Sequence, residues 1–445
     1  MKKKLTTVLL AAVMSVSIMG CGSSDSKKTT EQPTQTVETK EEATATSSGE
    51  EITIKMWTFL DPTNTENGRS VALQQMIDEY EAENPGVKVV VEPQDWATMT
   101  GKFLAASVAG NAPDIMWCAR DEMYGVLNAG ILEPLENLFL KDWTAEEIAD
   151  VDDAFFRFGE RDGKHYTLTV NKNCTGLFYR EDLLKEAGLP VPSSFDELYS
   201  AAKALTGKDA SGIDRYGLGM SFSTETNDAQ AIVNMLLQEN GDLFNDDATA
   251  NWANDAGIKA IDWTTNCINT GVTPKESINS TIEDIYTEFA AGKYGMAIAS
   301  AVRLATLRQN ASFDGNTIQF TPLPGGTVID GWFVGVWSGS KHKEEAGKFV
   351  EKMYSPESDL KWIELGGQAP LRKSTVASLE ITDENKYMEA MIQAFNEGWL
   401  PSNTEAYVGW KLTLNYPIQS VVIDGTDPME ALKKAEDVFN KDNNR

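Results

Sequence analysis

Residues Leu104 to Leu135 read LAASVAGNAPDIMWCARDEMYGVLNAGILEPL, and this stretch decides the fold class. Lys102 to Val108 is rich in Ala and Leu and predicts a helix that Gly110 ends, as a glycine just past the last apolar residue does. Asn111, Ala112 and Pro113 form a turn. Ile115, Met116 and Trp117 are a short apolar run, the pattern of a strand buried on both faces. Polar residues and a second helical stretch ending at Gly130 follow. Helix, tight turn, buried strand and helix together make an α/β unit. In open α/β sheets ligands bind outside the carboxyl ends of the strands. Cys118 to Tyr124 is therefore a candidate site.

AGNAPDI, an aromatic and a polar residue, then GVLNAGILEPL resemble the family 1 extracellular solute-binding proteins, the sugar-binding subunits of ABC importers. Segments from Ile52 to Phe439 carry the same resemblance. It implies an α/β, two-lobed periplasmic-binding-protein-like fold of class II, with a ligand cleft between lobes joined by hinge crossings.

The amino terminus is read separately. Lys2, Lys3 and Lys4 precede an apolar run from Leu5 to Met19, and Gly20-Cys21 follow. This is a secretory signal over residues 1–20, too short to span a membrane. Ile18-Met19-Gly20-Cys21 resembles a bacterial lipobox, which implies a lipid on Cys21. The alternative is an ordinary signal peptide with a chance Cys. Gly22 to Glu50 has only Val37, Ala43 and Ala45 as apolar residues, too few to fold. As a random coil of about 29 residues it spans roughly 30 Å. A lipid and a tether over 21–50 place a folded body at the extracytoplasmic face of the cell membrane.

That body of about 395 residues suits two domains. The chain's formal net charge of −28 excludes a basic nucleic-acid face. After Cys21, the remaining cysteines Cys118, Cys174 and Cys267 match no metal spacing and read as small buried hydrophobes, with a Cys118–Cys174 bridge left open. His165 and His342 are the only histidines, so a His-based metal cluster is not expected. No cofactor is implied.

Ile52, Ile54 and Met56 alternate with polar residues and lead into Trp57, the first strand. Asp61 lies in the loop after it. A helix over about 70–83 ends at Asn84-Pro85-Gly86, and Val87 to Val91 is the second strand. Trp57 and, after the second strand, Trp96 each read two ways: a ring stacking on a sugar, or a cap on the core. Asp162-Gly163 predicts a hairpin turn. Thr167 to Asn171 is a strand that resumes at Thr175–Tyr179 after a short break. Ser194 with Glu197 three residues on reads as a capping box. Tyr294 to Ala299 is a strand, and 340–352 a helix.

The resemblance places crossings between lobes at 169–175, 333–337 and near 382. Lobe one then holds 51–171 and 338–381, and lobe two 175–332 and 383–445. Asn173 falls on the cleft floor. Arg303 stands near the place where family members carry a Trp. Arg372, in Gly366-Gly367-Gln368-Ala369-Pro370-Leu371-Arg372, matches a segment facing the cleft from lobe one. Tyr407 and Trp410 lie where an aromatic covers the sugar. Asp121 matches a carboxylate that accepts hydrogen bonds from sugar hydroxyls, and equally reads as a helix N-cap.

A pyranose presents apolar C–H faces to Trp or Tyr and hydroxyls to charged and amide groups. The 11 Trp suit this, with Trp332 and Trp410 expected to stack across the cleft. No nucleophile elbow, phosphate loop or dinucleotide fingerprint is present. A glycosidase needs two carboxylates about 5–9 Å apart, and nothing marks such a pair among 67 acidic residues. The expectation is a monomeric, non-enzymatic receptor for a sugar or oligosaccharide that docks on an ABC permease. The alternatives are a surface-anchored glycoside hydrolase and a receptor for a cationic or other small solute.

Overall fold

The computed structural model describes residues 51–209, 211–224, 231–382, 385–399 and 409–443. Their strands, in chain order, are β1 (Ile52–Thr58), β2 (Val87–Pro93), β3 (Ile115–Ala119), β4 (Glu160–Arg161), β5 (Lys164–His165), β6 (Leu168–Arg180), β7 (Gly207–Lys208), β8 (Asp214–Gly219), β9 (Tyr294–Ser300), β10 (Ile318–Pro322) and β11 (Ile329–Val336). All but the β4–β5 pair belong to one hydrogen-bonded path, β2-β1-β3-β11-β6-β9-β8-β7, with β10 also on β6.

The stretch that decides the fold behaves as its pattern requires. The helix Met99–Val108 precedes β3, and the helix Arg120–Asn128 follows it. β3 runs parallel to β1 and antiparallel to β11. Side chains alternate along a strand. Ile115 and Trp117 accordingly join the core with the helix Gly68–Glu83, while Met116 and Cys118 join the core on the opposite face with Met123 and Val126. Both faces are covered, so the run is apolar without a break. Trp117 is 1% exposed, and truncating it to Ala would cost about 3–5 kcal/mol.

β6 is one continuous strand, without the interruption read at Lys172–Cys174. The polar residues there mark a change of partner instead. Leu168 to Cys174 pairs with β11, and Thr175 onward pairs with β9 and β10. β11 similarly leaves β6 for β3, and its register shifts between Trp332 and Phe333. The two long strands join the half of the sheet built on β1–β3 to the half built on β8–β9. Beyond them Met296 and Ile298 of β9 enter one core, and Ala297 and Ala299 the other.

Local signals hold with small differences. Asp162 (φ 53°) and Gly163 (φ 73°) form the two-residue turn between β4 and β5, the left-handed pair a tight hairpin needs. Ser194 caps the helix Phe195–Leu205 by accepting from the Glu197 amide, but the Glu197 carboxylate turns to the amide and hydroxyl of Ser193 instead of closing a box. Cys118, Cys174 and Cys267 are buried free thiols, so no Cys118–Cys174 bridge forms.

Candidate ligand-binding cleft

A cleft of about 510 Å³ opens where the two halves of the sheet meet, within the range of small-molecule sites. One wall comes from the carboxyl ends of β1, β2 and β3: Phe59 and Arg69, then Trp96, then Asp121 and Glu122. The other comes from the end of β9 and from two helices: Ser300 and Arg303, Glu283 and Tyr286 of the helix Ile282–Ala290, and Lys411 of the helix Trp410–Gln419. The connecting strands supply the floor, Asn173 from β6 with Asp330 and Trp332 from β11. The position is the one expected for ligands in open α/β sheets.

Trp332 is half-buried and packs edge-on against Phe59, with ring centroids 4.8 Å apart. Phe59 in turn meets Trp117 in the core at 5.5 Å. These contacts hold the cleft aromatics rigidly. The Asn173 side chain accepts from the Ser300 hydroxyl, and the Ser300 amide donates to the Tyr286 hydroxyl at 3.1 Å. Arg303 lies 5.1 Å from the Tyr286 ring centre and pairs with Glu283.

A buried charge cluster joins floor and walls. Asp330 pairs with Lys411 and lies 3.3 Å from Arg120 Nε, and Lys411 Nζ is 3.5 Å from Asp121 Oδ2. Burial alone would raise the Asp330 carboxyl, but Lys411 and Arg120 hold it below its ordinary value. Burial likewise opposes the charge on Lys411, and Asp121 and Asp330 outweigh it, so its ammonium stays charged above the usual lysine range. Glu122 has no such cation, and burial pushes its carboxyl up.

The structure brings Trp96, Asp121, Asn173, Arg303 and Trp332 together in the cleft and leaves other candidates elsewhere. Trp57 faces away from it, donating its indole N–H to Glu92 on β2 at 2.8 Å. Asp61 is exposed and closes its own turn by accepting from the Thr63 amide and hydroxyl. Arg372 is buried behind the wall, bonding Asp150 Oδ2 at 2.7 Å and the Tyr354 carbonyl at 2.9 Å. Trp410 is 1% exposed and sits edge-on to Phe244 and Trp399 in the core. Tyr407 and Cys21 lie outside the described residues. Asp121 is not an N-cap: Ala119 holds that position, and Asp121 is in the first turn.

The core position of Trp410 has a cause legible in the sequence. Trp410, Leu414 and Ile418 recur every four residues and all enter the core, the stripe of an amphipathic helix. The next residue, Lys411, turns about 100° away and faces the cleft. Glu283 and Tyr286, three residues apart, share a helix face, and Asp330 is the one charge in an otherwise apolar strand. Glu122 falls within the candidate stretch Cys118 to Tyr124, whereas Phe59, Arg69 and Ser300 carry no comparable signal. Among the described residues no group of acidic, His or Cys side chains could hold a metal, and no helix is long and apolar enough to cross a membrane.

The profile of a family described as bacterial extracellular solute-binding protein matches residues 75–390. A protein of Brucella abortus (strain 2308), named only as a binding protein, is 25% identical over 368 residues, covering 80% of this chain and 86% of that one. The arabinooligosaccharide-binding protein of Bacillus subtilis (strain 168) is 25% identical over 248 residues, 52% of this chain and 54% of that one. The maltose-bound MalE3 of T. maritima superposes with a TM-score of 0.76 at 18% identity, over 88% of this chain and 99% of that one. An ABC transporter solute-binding protein of Thermotoga lettingae, bound with α-D-tagatose, gives 0.75 at 23% identity over 88% and 99%. At these identities the two structures share the two-lobed α/β fold. The relatives are binding proteins, not enzymes.

Proposed function

The chain belongs to the bacterial extracellular solute-binding proteins, and we propose from that premise that it captures a sugar or oligosaccharide and delivers it to an ABC permease. The observation that carries this reading is the pairing of half-buried aromatic faces with hydrogen-bonding groups in one cleft. Trp96 and Trp332 offer flat apolar area, and Asp121, Asn173 and Ser300 offer partners for hydroxyls. Stacking and charged hydrogen bonds are what a pyranose requires.

In this reading 51–171 and 338–381 form lobe one, and 175–332 and 383–445 lobe two. The chain bends at 169–175, 333–337 and near 382. A ligand bridging both lobes stabilises the closed state. The protein works as a monomer, held at the outer face of the membrane by lipid on Cys21 and the tether 21–50. Two measurements test this. A panel of sugars should contain one that raises the melting temperature and titrates one to one; if none does, the sugar assignment fails. Cys21→Ala should release the protein from the membrane fraction of a native host; retention of processed protein would remove the anchor.

A further inference from the structure

Arg69 sits in the wall of the cleft without a counter-ion. It is the second residue of the helix Gly68–Glu83, whose amino end presses on the backbone at Leu365; a Cβ on Gly68 would lie 1.9 Å from the Leu365 carbonyl oxygen. That contact fixes where the Arg69 side chain leaves the helix. The residue is 8% exposed, and its guanidinium lies 5.5 Å from the centre of the Phe59 ring. Its Nε is buried with no hydrogen-bond partner. Among the described residues no carboxylate forms an ion pair with it. The other cations of the cleft are provided for, Arg303 by Glu283 and Lys411 by Asp121 and Asp330. Burial, and then the like charge of Arg303, lower Arg69 to about 10.

We propose that the sugar carries an oxyanion substituent, a carboxylate or a phosphate ester, and that Arg69 together with Arg303 receives it. This rests on reading the cleft as a sugar site. A buried cation is unfavourable unless paired, and the protein supplies one carboxylate, Glu283, for two guanidinium groups. A hydroxyl of a neutral sugar would satisfy the Nε donor and leave the two like charges facing each other. An oxyanion satisfies the donor and removes the repulsion. The guanidinium fork matches a carboxylate or phosphate with two parallel bonds. No other acid of the lining pairs with Arg69: Asp121 and Asp330 are held by Lys411 and Arg120, and burial raises the carboxyl of Glu122.

The test is calorimetric titration of the full protein with matched ligands: uronic-acid oligosaccharides against their carboxyl-reduced counterparts, and sugar phosphates against the parent sugars. The expected result is that one acidic member binds at least about tenfold tighter than its neutral partner, and the pair that shows it identifies the anion. Arg69→Gln should abolish that preference, Arg69→Lys should keep part of it, and Arg303→Gln should reduce it. Neutral members binding as tightly as acidic ones in every pair would overturn the inference and leave the sugar assignment standing. Binding by no member of either set would overturn both. A preference that survives in Arg69→Gln would remove Arg69 from the site. The comparison on the unmutated protein decides the main point even where a variant fails to fold.

Discussion

The two ends of the cleft handle charge in opposite ways. Toward the floor, Asp121, Asp330, Lys411 and Arg120 neutralise one another within the protein. Toward the helix Gly68–Glu83, Arg69 stays unpaired beside Arg303 and its single carboxylate. A closed cluster fixes geometry, since each member is costly to remove. An open one holds back interaction energy for a ligand. The cleft therefore combines a rigid end that ties together three separate stretches of chain with a receptive end that lowers the stability of the free protein.

The largest effect should come from breaking the closed end. Lys411→Met leaves Asp330 with Arg120 alone and strips Asp121 of its neighbouring cation. Removing one partner of a buried pair strands the other, and denaturant unfolding should show a loss of about 3 kcal/mol. A loss near zero would mean that solvent in the cleft screens the cluster. Next in size is Trp332→Ala, which deletes a stacking face between the two ends. Affinity for the sugar found by titration should fall about tenfold to a hundredfold, with Phe59 losing its edge contact as a smaller cost to folding. Unchanged affinity would place the sugar elsewhere in the cleft.

These residues also divide what was legible in sequence from what was not. The α/β unit at Leu104–Leu135 was legible because helix stop, turn and buried strand are local patterns, each with a local cause. The Lys172–Cys174 segment has the polarity of a break yet is continuous strand, because polarity inside a strand also arises where the strand changes partner. Asp121 reaches the cleft but is not a cap, since the cap falls two residues earlier at Ala119 and long-range pairing with Lys411 sets its environment. Trp410 lies in the core rather than the cleft, and its i, i+4, i+8 stripe with Leu414 and Ile418 is the local sign of that, since helical phase and not residue type sets which way a side chain faces. Arg69 depends on which chain segments meet across the cleft, and no local pattern carries that.

Smaller effects sharpen the comparison further. Arg69→Met removes a buried donor that has no partner, so the free protein should gain about 1 kcal/mol in denaturant unfolding while losing its ligand. A gain at one end of the cleft and a loss at the other, from substitutions of similar shape, would express the difference between them directly. Acid should act on the closed end. The folded carboxyl of Asp330 lies below its ordinary 3.8, so its contribution to stability is complete above that value and disappears as pH falls through the lower, folded one. Melting temperature should drop on acidification in that window, and less steeply in Asp330→Asn, which starts lower at neutral pH. Equal slopes would show that other carboxylates govern the acid response.

The smallest effect belongs to Trp57, which lies at the end of a strand yet outside both ends of the cleft. Its indole N–H bonds Glu92, the residue directly opposite on β2. Trp57→Phe keeps an aromatic body on the core and deletes only the donor. Glu92 is part-exposed, with 41% of its side chain accessible, so its carboxylate recovers the bond from water and no buried charge is stranded. The cost should be about 0.5–1 kcal/mol of folding stability, and sugar affinity should stay within about twofold, well under the 1.4 kcal/mol that a tenfold change represents. A tenfold loss of affinity with normal folding would mean that Trp57 turns from Glu92 onto the ligand when the lobes close. The aromatic wall would then include the first strand, and the ligand would extend past Phe59 toward β2.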